Sequence, residues 1–321
     1  MSGRVDLGSL EGKRLLVTGG NGFLGRHVLA RLAAEGCAQV LAPSRQRLDL
    51  LEPAAVVAAF RDARPDVVLH LAANVGGIGA NQRRPGTFWH DNLLMGVNVL
   101  EASRLSGVRR LVVVGTVCAY PKFTPVPFRE QDLWSGYPEE TNAPYGVAKR
   151  ALAVGMDAYR REFGLDGAFL LPANLYGPGD HFDLETSHVI PAMIRKCVEA
   201  VDAGSEEVVL WGTGTASREF LYVEDAAEAL VRAAARIDDP APMNLGTGQE
   251  VTMRDLAVRV AEATGFAGRF RWDASRPDGQ PRRSQDTTEA ARRLGWTAKT
   301  RLVEGLRATA DWYRTHRGSN S

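Results

Sequence analysis

Along its first two-thirds the chain alternates short, almost wholly apolar runs with longer stretches in which apolar side chains return every three or four residues. The short runs read as strands buried on both faces, and the longer stretches as amphipathic helices. This patterning predicts strands at 14–18, 39–42, 67–71, 110–115 and 167–172, with helices at 22–34, 53–61, 92–105 and 144–163. Strands that alternate with helices of this length form crossover units, so the expected class is α/β with a doubly wound parallel sheet.

Beyond Gly177 the rhythm changes. A loop rich in Gly, Asp and His leads to a helix at 189–201, short strands, and helices at 253–263 and 303–316, which predicts a smaller C-terminal α/β lobe for substrate. The runs 220–222 and 243–245, joined by a helix at 223–235, read as further strands of the main sheet. The two units therefore interleave: residues 1–177 with about 219–245 form the cofactor domain, and 178–218 with 246–321 form the lobe. The tail 317–321 reads as disordered.

Charge narrows the function. Lys and Arg (39) balance Asp and Glu (38), so no overall field attracts nucleic acid or an anionic membrane. No apolar run approaches the ~20 residues that a membrane crossing needs. The three cysteines, Cys37, Cys118 and Cys197, lack metal-ligand spacing, so no metal is expected. With no apolar signal segment ahead of Arg14, the expected compartment is the cytoplasm.

The stretch Thr18-Gly19-Gly20-Asn21-Gly22-Phe23-Leu24-Gly25 lies between the first predicted strand and the first helix, and its glycines fit either a GxxGxxG or a GxGxxG phosphate loop. Such a loop needs a tight turn, close backbone approach to a pyrophosphate, and the partial positive charge of a helix N-terminus. This is the Rossmann arrangement for a dinucleotide. After the second strand, an NAD site would place a carboxylate on the ribose 2′-hydroxyl. Ser44 and Arg45 stand there instead, a pairing that suits a 2′-phosphate and so NADP. Asp49, beside Leu50 at the start of the next helix, can take a hydrogen bond from adenine or simply cap that helix.

Tyr145 and Lys149 are four residues apart on a predicted helix, hence on one face. A phenol is a poor acid or base at neutral pH, and a neighbouring ammonium is expected to lower its pKa. Thr116, at the carboxyl end of the fourth strand, adds a hydroxyl. In a ketone reduction Tyr145 would protonate the alkoxide as hydride arrives, Thr116 would hydrogen-bond the same oxygen, and Lys149 would reach the nicotinamide ribose.

Loop, hydroxyl and Tyr-x-x-x-Lys together resemble the extended short-chain dehydrogenase/reductases that act on nucleotide sugars. Within them, Val75-Gly76-Gly77-Ile78, Cys118-Ala119-Tyr120-Pro121-Lys122-Phe123, Thr141-Asn142-Ala143-Pro144-Tyr145, Asn174-Leu175-Tyr176-Gly177-Pro178, Ser187-His188-Val189-Ile190-Pro191, Trp211-Gly212-Thr213-Gly214, Arg218-Glu219-Phe220-Leu221 and Arg276-Pro277-Asp278-Gly279 resemble the GDP-L-fucose synthases. That resemblance implies epimerisation of GDP-4-keto-6-deoxy-D-mannose at C3 and C5, then reduction at C4 by NADPH. It puts Cys118 and His188 on the epimerisation pair, and Thr116, Tyr145 and Lys149 on the reduction triad. Leu71, Ala72 and Ala73 would line the cofactor groove, with Pro172, Asn174, Leu175 and His188 near the nicotinamide. Arg218 would hold the substrate diphosphate, or else pair with Glu219 or Glu224. Trp211 would cover the guanine, or else fill a core. Asn174, Asp278 and Arg282 would add substrate contacts. A homodimer through the helices at 92–105 and 144–163 is also implied.

Three positions depart from the family pattern: Thr116 stands for a serine, Asn21 for a basic residue beside the 2′-phosphate, and Asn74 for a lysine. Related 4-keto sugar reductases and epimerases remain alternatives, as does a regulator that binds NADP without turnover. A dehydratase is disfavoured, because Thr116-Val117-Cys118 lacks the Asp-Glu pair that eliminates water.

Overall fold

In the computed structural model, residues 10–276 and 278–317 are described. Six segments, β1 (Leu15–Thr18), α1 (Phe23–Ala34), β2 (Val40–Leu41), α2 (Pro53–Ala63), β3 (Val67–His70) and α3 (Ile78–Arg83), open the chain. Then come α4 (Pro85–Leu105), β4 (Arg110–Val114), α5 (Ala143–Phe163), β5 (Asp166–Pro172), β6 (Asn174–Tyr176), α6 (Val189–Asp202), β7 (Glu207–Trp211) and β8 (Ser217–Tyr222). The chain closes with α7 (Val223–Arg236), β9 (Met243–Leu245), β10 (Glu250–Thr252), α8 (Met253–Thr264), β11 (Arg269–Asp273), α9 (Thr288–Leu294) and α10 (Leu302–His316).

The main sheet is parallel in the order β2-β1-β3-β4-β5-β9, as the apolar runs imply. Successive side chains of a strand point to opposite faces, and here both faces are buried. Leu15, Val17, Leu69, Val112 and Leu170 pack towards one side with Val28, Leu32 and the small residues of α7. Leu16, Val68, Leu111, Val113 and Phe169 pack towards the other with Val56, Phe60, Val99 and Leu152. A third core, built from Ile190, Ile194, Leu210, Phe220, Leu256 and Leu306, holds the lobe together.

Two assignments differ from expectation. Helix α4 begins at Pro85, seven residues early, because proline's fixed φ suits a first helical turn although its polar neighbours hide the periodicity. The run 220–222 belongs to β8, which pairs with β6 and β10 in a separate three-stranded sheet, whereas β9 does extend the main sheet beside β5. The reason is visible at β5: Ala173 alone separates it from β6, so the chain passes from one sheet into the other and carries the partner strand with it. Of the tail read as disordered, 318–321 lie outside the described residues, as do 1–9 and Pro277. No helix of the described residues is long and apolar enough to cross a membrane.

Candidate active site

The strand order reverses direction between β1 and β3, and ligands of doubly wound sheets bind beyond the carboxyl ends at such a point. A cavity of about 810 Å³ opens there and runs on beneath the lobe. Every residue singled out above as a site residue lines it, with the exception of Arg282.

The glycine loop is shaped by what its backbone must avoid. Gly19 has φ +74°, and a Cβ there would lie 2.6 Å from the Ala72 nitrogen. A Cβ on Gly25 would lie 2.1 Å from the Gly19 carbonyl oxygen. Gly19, Gly22 and Gly25 line the cavity and Gly20 does not, which selects the GxxGxxG reading. The first turn of α1 therefore presents its free N–H groups to the cavity, a cradle for a pyrophosphate. Ser44 and Arg45 form the adjoining rim, and Arg45 makes no ion pair among the described residues. Asp49 does not cap α2, which starts at Pro53 behind Glu52; its carboxylate instead accepts from the Leu51 N–H at 3.0 Å.

Strand β4 delivers Thr116 to the cavity floor. Its Oγ1 accepts from the Cys118 N–H at 3.2 Å and caps a single 3-10 turn, Val117–Ala119, which turns Cys118 towards α5. Gly146 permits that approach, since a Cβ there would lie 2.5 Å from the Cys118 carbonyl oxygen. Lys149, 1% exposed, donates from Nζ to the Val114 carbonyl at 3.0 Å and sits 6.0 Å from the Tyr145 ring centroid. Burial lowers the Lys149 pKa to about 8.

The Tyr145 phenol does not follow the expectation of a lowered pKa. Burial pushes it well above the ordinary tyrosine range and the neighbouring Cys118 adds to the rise, while a hydrogen bond from Thr116 opposes it. The ammonium is directed at a strand carbonyl rather than at the phenolic oxygen, so it does not offset the burial. Tyr145 is thus a neutral phenol around pH 7, a proton donor before it is anything else.

Behind Lys149 lies His70, fully enclosed, with Nδ1 2.7 Å from Thr18 Oγ1 and Nε2 without a partner among the described residues. Burial, and then the Lys149 charge, lower its pKa from 6.5 to about 3. The folded protein keeps this ring neutral where an unfolded chain protonates it. Its contribution to stability is complete above pH 6.5 and is lost as pH falls towards 3. Denaturant melts between pH 7 and pH 4 are expected to show a steeper loss of stability for the wild type than for His70→Gln.

The far wall belongs to the lobe. His188 is reached by solvent through the cavity, yet the surrounding walls, and then the charge of His181, lower its pKa below the ordinary histidine range. Arg218 donates to the carbonyls of Ser217 at 2.7 Å and Asp278 at 2.9 Å, and pairs with neither Glu219 nor Glu224. Burial, and then the neighbouring Arg283, depress its pKa to about 9. Trp211 is 47% exposed in the cavity, not a core residue, and the Arg276 guanidinium lies 4.9 Å above its ring. The Asp278 carboxylate is engaged by the Thr213 N–H and hydroxyl, both at 2.8 Å.

Residues 15–246 match the NAD dependent epimerase/dehydratase family. The chain belongs to that family. It is 42% identical over 300 residues to GDP-L-fucose synthase 1 of Arabidopsis thaliana, spanning 94% of this chain and 93% of that protein. A GDP-6-OMe-4-keto-L-xylo-heptose reductase from C. jejuni superposes with a TM-score of 0.89 at 27% identity, covering 95% of this chain and 98% of that one. A GDP-L-fucose synthetase from Naegleria fowleri, solved with NADP bound, gives 0.87 at 27% identity over 96% of both chains. The resemblance to GDP-L-fucose synthases read from the motifs is borne out, and so is the α/β class.

Within this family member, one expected contact is corrected. Arg282 points away from the cavity, 63% exposed, and pairs with Glu250 through Nε at 3.1 Å. Its neighbour Arg283 faces the cavity instead, because adjacent residues of an extended segment point to opposite sides. Sequence reasoning also missed Asn142, Lys196 and Gln280. Lys196 carried a usable signal: His188, Ala192 and Lys196 recur every four residues along α6 and all three line the cavity.

Proposed function

We propose that this protein converts GDP-4-keto-6-deoxy-D-mannose to GDP-L-fucose, inverting C3 and C5 and then reducing C4 with NADPH. One observation carries the reading: two proton-transfer sets, Cys118 with His188 and Thr116 with Tyr145 and Lys149, open onto a single cavity. A simple ketoreductase requires the second set alone.

Hydrogens beside the C4 ketone are acidic because the enolate is delocalised onto oxygen. Cys118 removes each of them, and His188 returns a proton on the opposite face. Thr116 and Tyr145 donate hydrogen bonds to the C4 oxygen while it carries enolate charge. Bound NADPH supplies the hydride for the last step. Tyr145, a neutral phenol, gives its proton to the alkoxide as it forms, and Lys149, one turn along the same helix face, reaches the nicotinamide ribose.

The glycine cradle holds the cofactor pyrophosphate, and Ser44 and Arg45 hold the 2′-phosphate. Arg218 and Lys196 face the sugar-nucleotide diphosphate, and Trp211 offers its exposed ring to the base. The sheet domain thus takes the cofactor and the lobe takes the substrate. Copies of the chain pair through α4 and α5, whose Trp89, Val97 and Val154 are exposed apolar residues on neighbouring helices. The three cysteines are free thiols, which accords with work in the cytoplasm.

The test is incubation with GDP-4-keto-6-deoxy-D-mannose and NADPH, with product stereochemistry read by NMR. Without NADPH in deuterated water, label is expected at C3 and C5, and its absence would reject the epimerase. Arg45→Glu is expected to raise the KM for NADPH about tenfold or more, because a charged hydrogen bond worth ~1.5–3 kcal/mol becomes a repulsion, while the KM for NADH changes little.

A further inference from the structure

Cys118 does not meet the cavity alone. Nη1 of Arg283 lies 3.4 Å from its Sγ, and Arg283 is 6% exposed. The guanidinium is held from behind: Nε donates to Gln280 Oε1 at 3.1 Å. Gln280, 2% exposed, donates from Nε2 to the carbonyls of Pro121 at 3.2 Å and Lys122 at 2.9 Å. Both amide hydrogens face main-chain acceptors, so the sense of the amide is determined and its oxygen is left for Arg283. Pro121 and Lys122 follow Cys118 by three and four residues. The thiol and the cation are therefore tied to the same short segment, one at each end of a closed ring of hydrogen bonds.

The charges around the thiol are lopsided. Arg283 touches it from the segment before α9, and Arg218 approaches from β8. Neither guanidinium is within ion-pair distance of a carboxylate among the described residues. Asp278 and Glu139 are felt at Arg218, and Asp278 is occupied by Thr213. From α5 the thiol faces the neutral Tyr145, and from its own turn Thr116, which takes the Cys118 N–H. Two buried guanidinium groups thus face one sulfur, with no carboxylate closer to it among the described residues.

We propose that Arg283 is a catalytic residue of the epimerisation half-reaction, holding Cys118 as the thiolate that accepts the sugar proton. This rests on the reading of Cys118 as the base. In the step, the C–H bond beside the ketone breaks, its proton forms S–H, and the electron pair moves to the C4 oxygen as enolate. His188 then gives a proton to carbon from the other face, and solvent restores both groups. Arg283 is not consumed; its contact with sulfur is strongest before the transfer and weakens once the thiol is neutral. A guanidinium meant only for the diphosphate would gain nothing from a contact with sulfur.

The test uses the NADP-saturated protein. Alkylation of Cys118 by iodoacetamide is followed by peptide mass spectrometry against pH, with Cys37 and Cys197 as internal references. In Arg283→Met the midpoint is expected to rise by about one pH unit, and the rate at pH 7 to fall about tenfold. Arg283→Lys should retain most of the wild-type profile. Deuterium exchange into GDP-4-keto-6-deoxy-D-mannose without NADPH should show the same displacement of its acid limb, carried by kcat more than by KM. An unmoved alkylation midpoint with a raised KM would make Arg283 a substrate ligand and overturn the proposal. Undiminished exchange in Cys118→Ser would instead defeat the reading of Cys118 as base, whatever Arg283 does. NADPH binding reports folding in every variant, and Arg283→Gln replaces the methionine variant should that one fail to bind.

Discussion

Tyr145→Phe is expected to lower NADPH oxidation by about 10²–10⁴-fold, the usual worth of a positioned general acid, while deuterium exchange at C3 and C5 continues. The separation follows from the proposed division of labour on the cavity wall: exchange would run through Cys118 and His188, and would lose only one of the two hydroxyl donors to the C4 oxygen. Thr116 still serves that oxygen, so exchange is slowed rather than stopped. Because burial keeps the phenol protonated, the wild-type reduction should show no loss through the neutral range that is traceable to Tyr145. Stopped-flow oxidation of NADPH and NMR of the ketosugar in deuterated water, on the same preparation, measure both halves. Equal loss of both would mean that Tyr145 serves a step common to them.

Cys118→Ala reverses the pattern. Removing the base should abolish label at both C3 and C5, a loss of about 10²–10⁴-fold. The reduction machinery remains, since Thr116, Tyr145 and Lys149 keep their partners in β4 and α5. Supplied with the ketosugar already inverted at C3 and C5, this variant should oxidise NADPH at close to the wild-type rate. Supplied with the unepimerised ketosugar it should form no GDP-L-fucose. His188→Asn is expected to resemble it in product but to differ in label, because Cys118 can still remove a proton and return deuterium on the same face. Retention of label with loss of inversion would then assign the two sides of the sugar to the two residues.

The strands of the main sheet were legible because burial on both faces leaves almost no polar residues in 15–18, 67–69 and 111–114. The cofactor loop was legible because close backbone approach excludes a Cβ at Gly19 and Gly25, and that exclusion is written directly into residue type. What stayed hidden depends on contacts between distant segments. Arg282 and Arg283 are chemically alike, and only the path of the chain past Cys118 decides which one faces the cavity. The direction of the Tyr145 shift was misread because an i, i+4 spacing places Lys149 nearby without saying that its Nζ is claimed by the Val114 carbonyl. Asp49 is open in the sequence to two readings, adenine acceptor or cap, since the loop before Pro53 has no periodicity by which to locate the helix start.

The buried Glu219 accepts from the backbone N–H groups of Gly248 and Gln285, both at 2.7 Å, and of Thr247. It thereby staples β8 to the turn after β9 and to the segment carrying Arg283. Between β8 and β10 the chain returns to the main sheet to form β9, so the smaller lobe is assembled from pieces on either side of a strand it does not own. Such a lobe cannot be exchanged as a cassette: one cut leaves β9 behind, and two cuts sever the Glu219 junction.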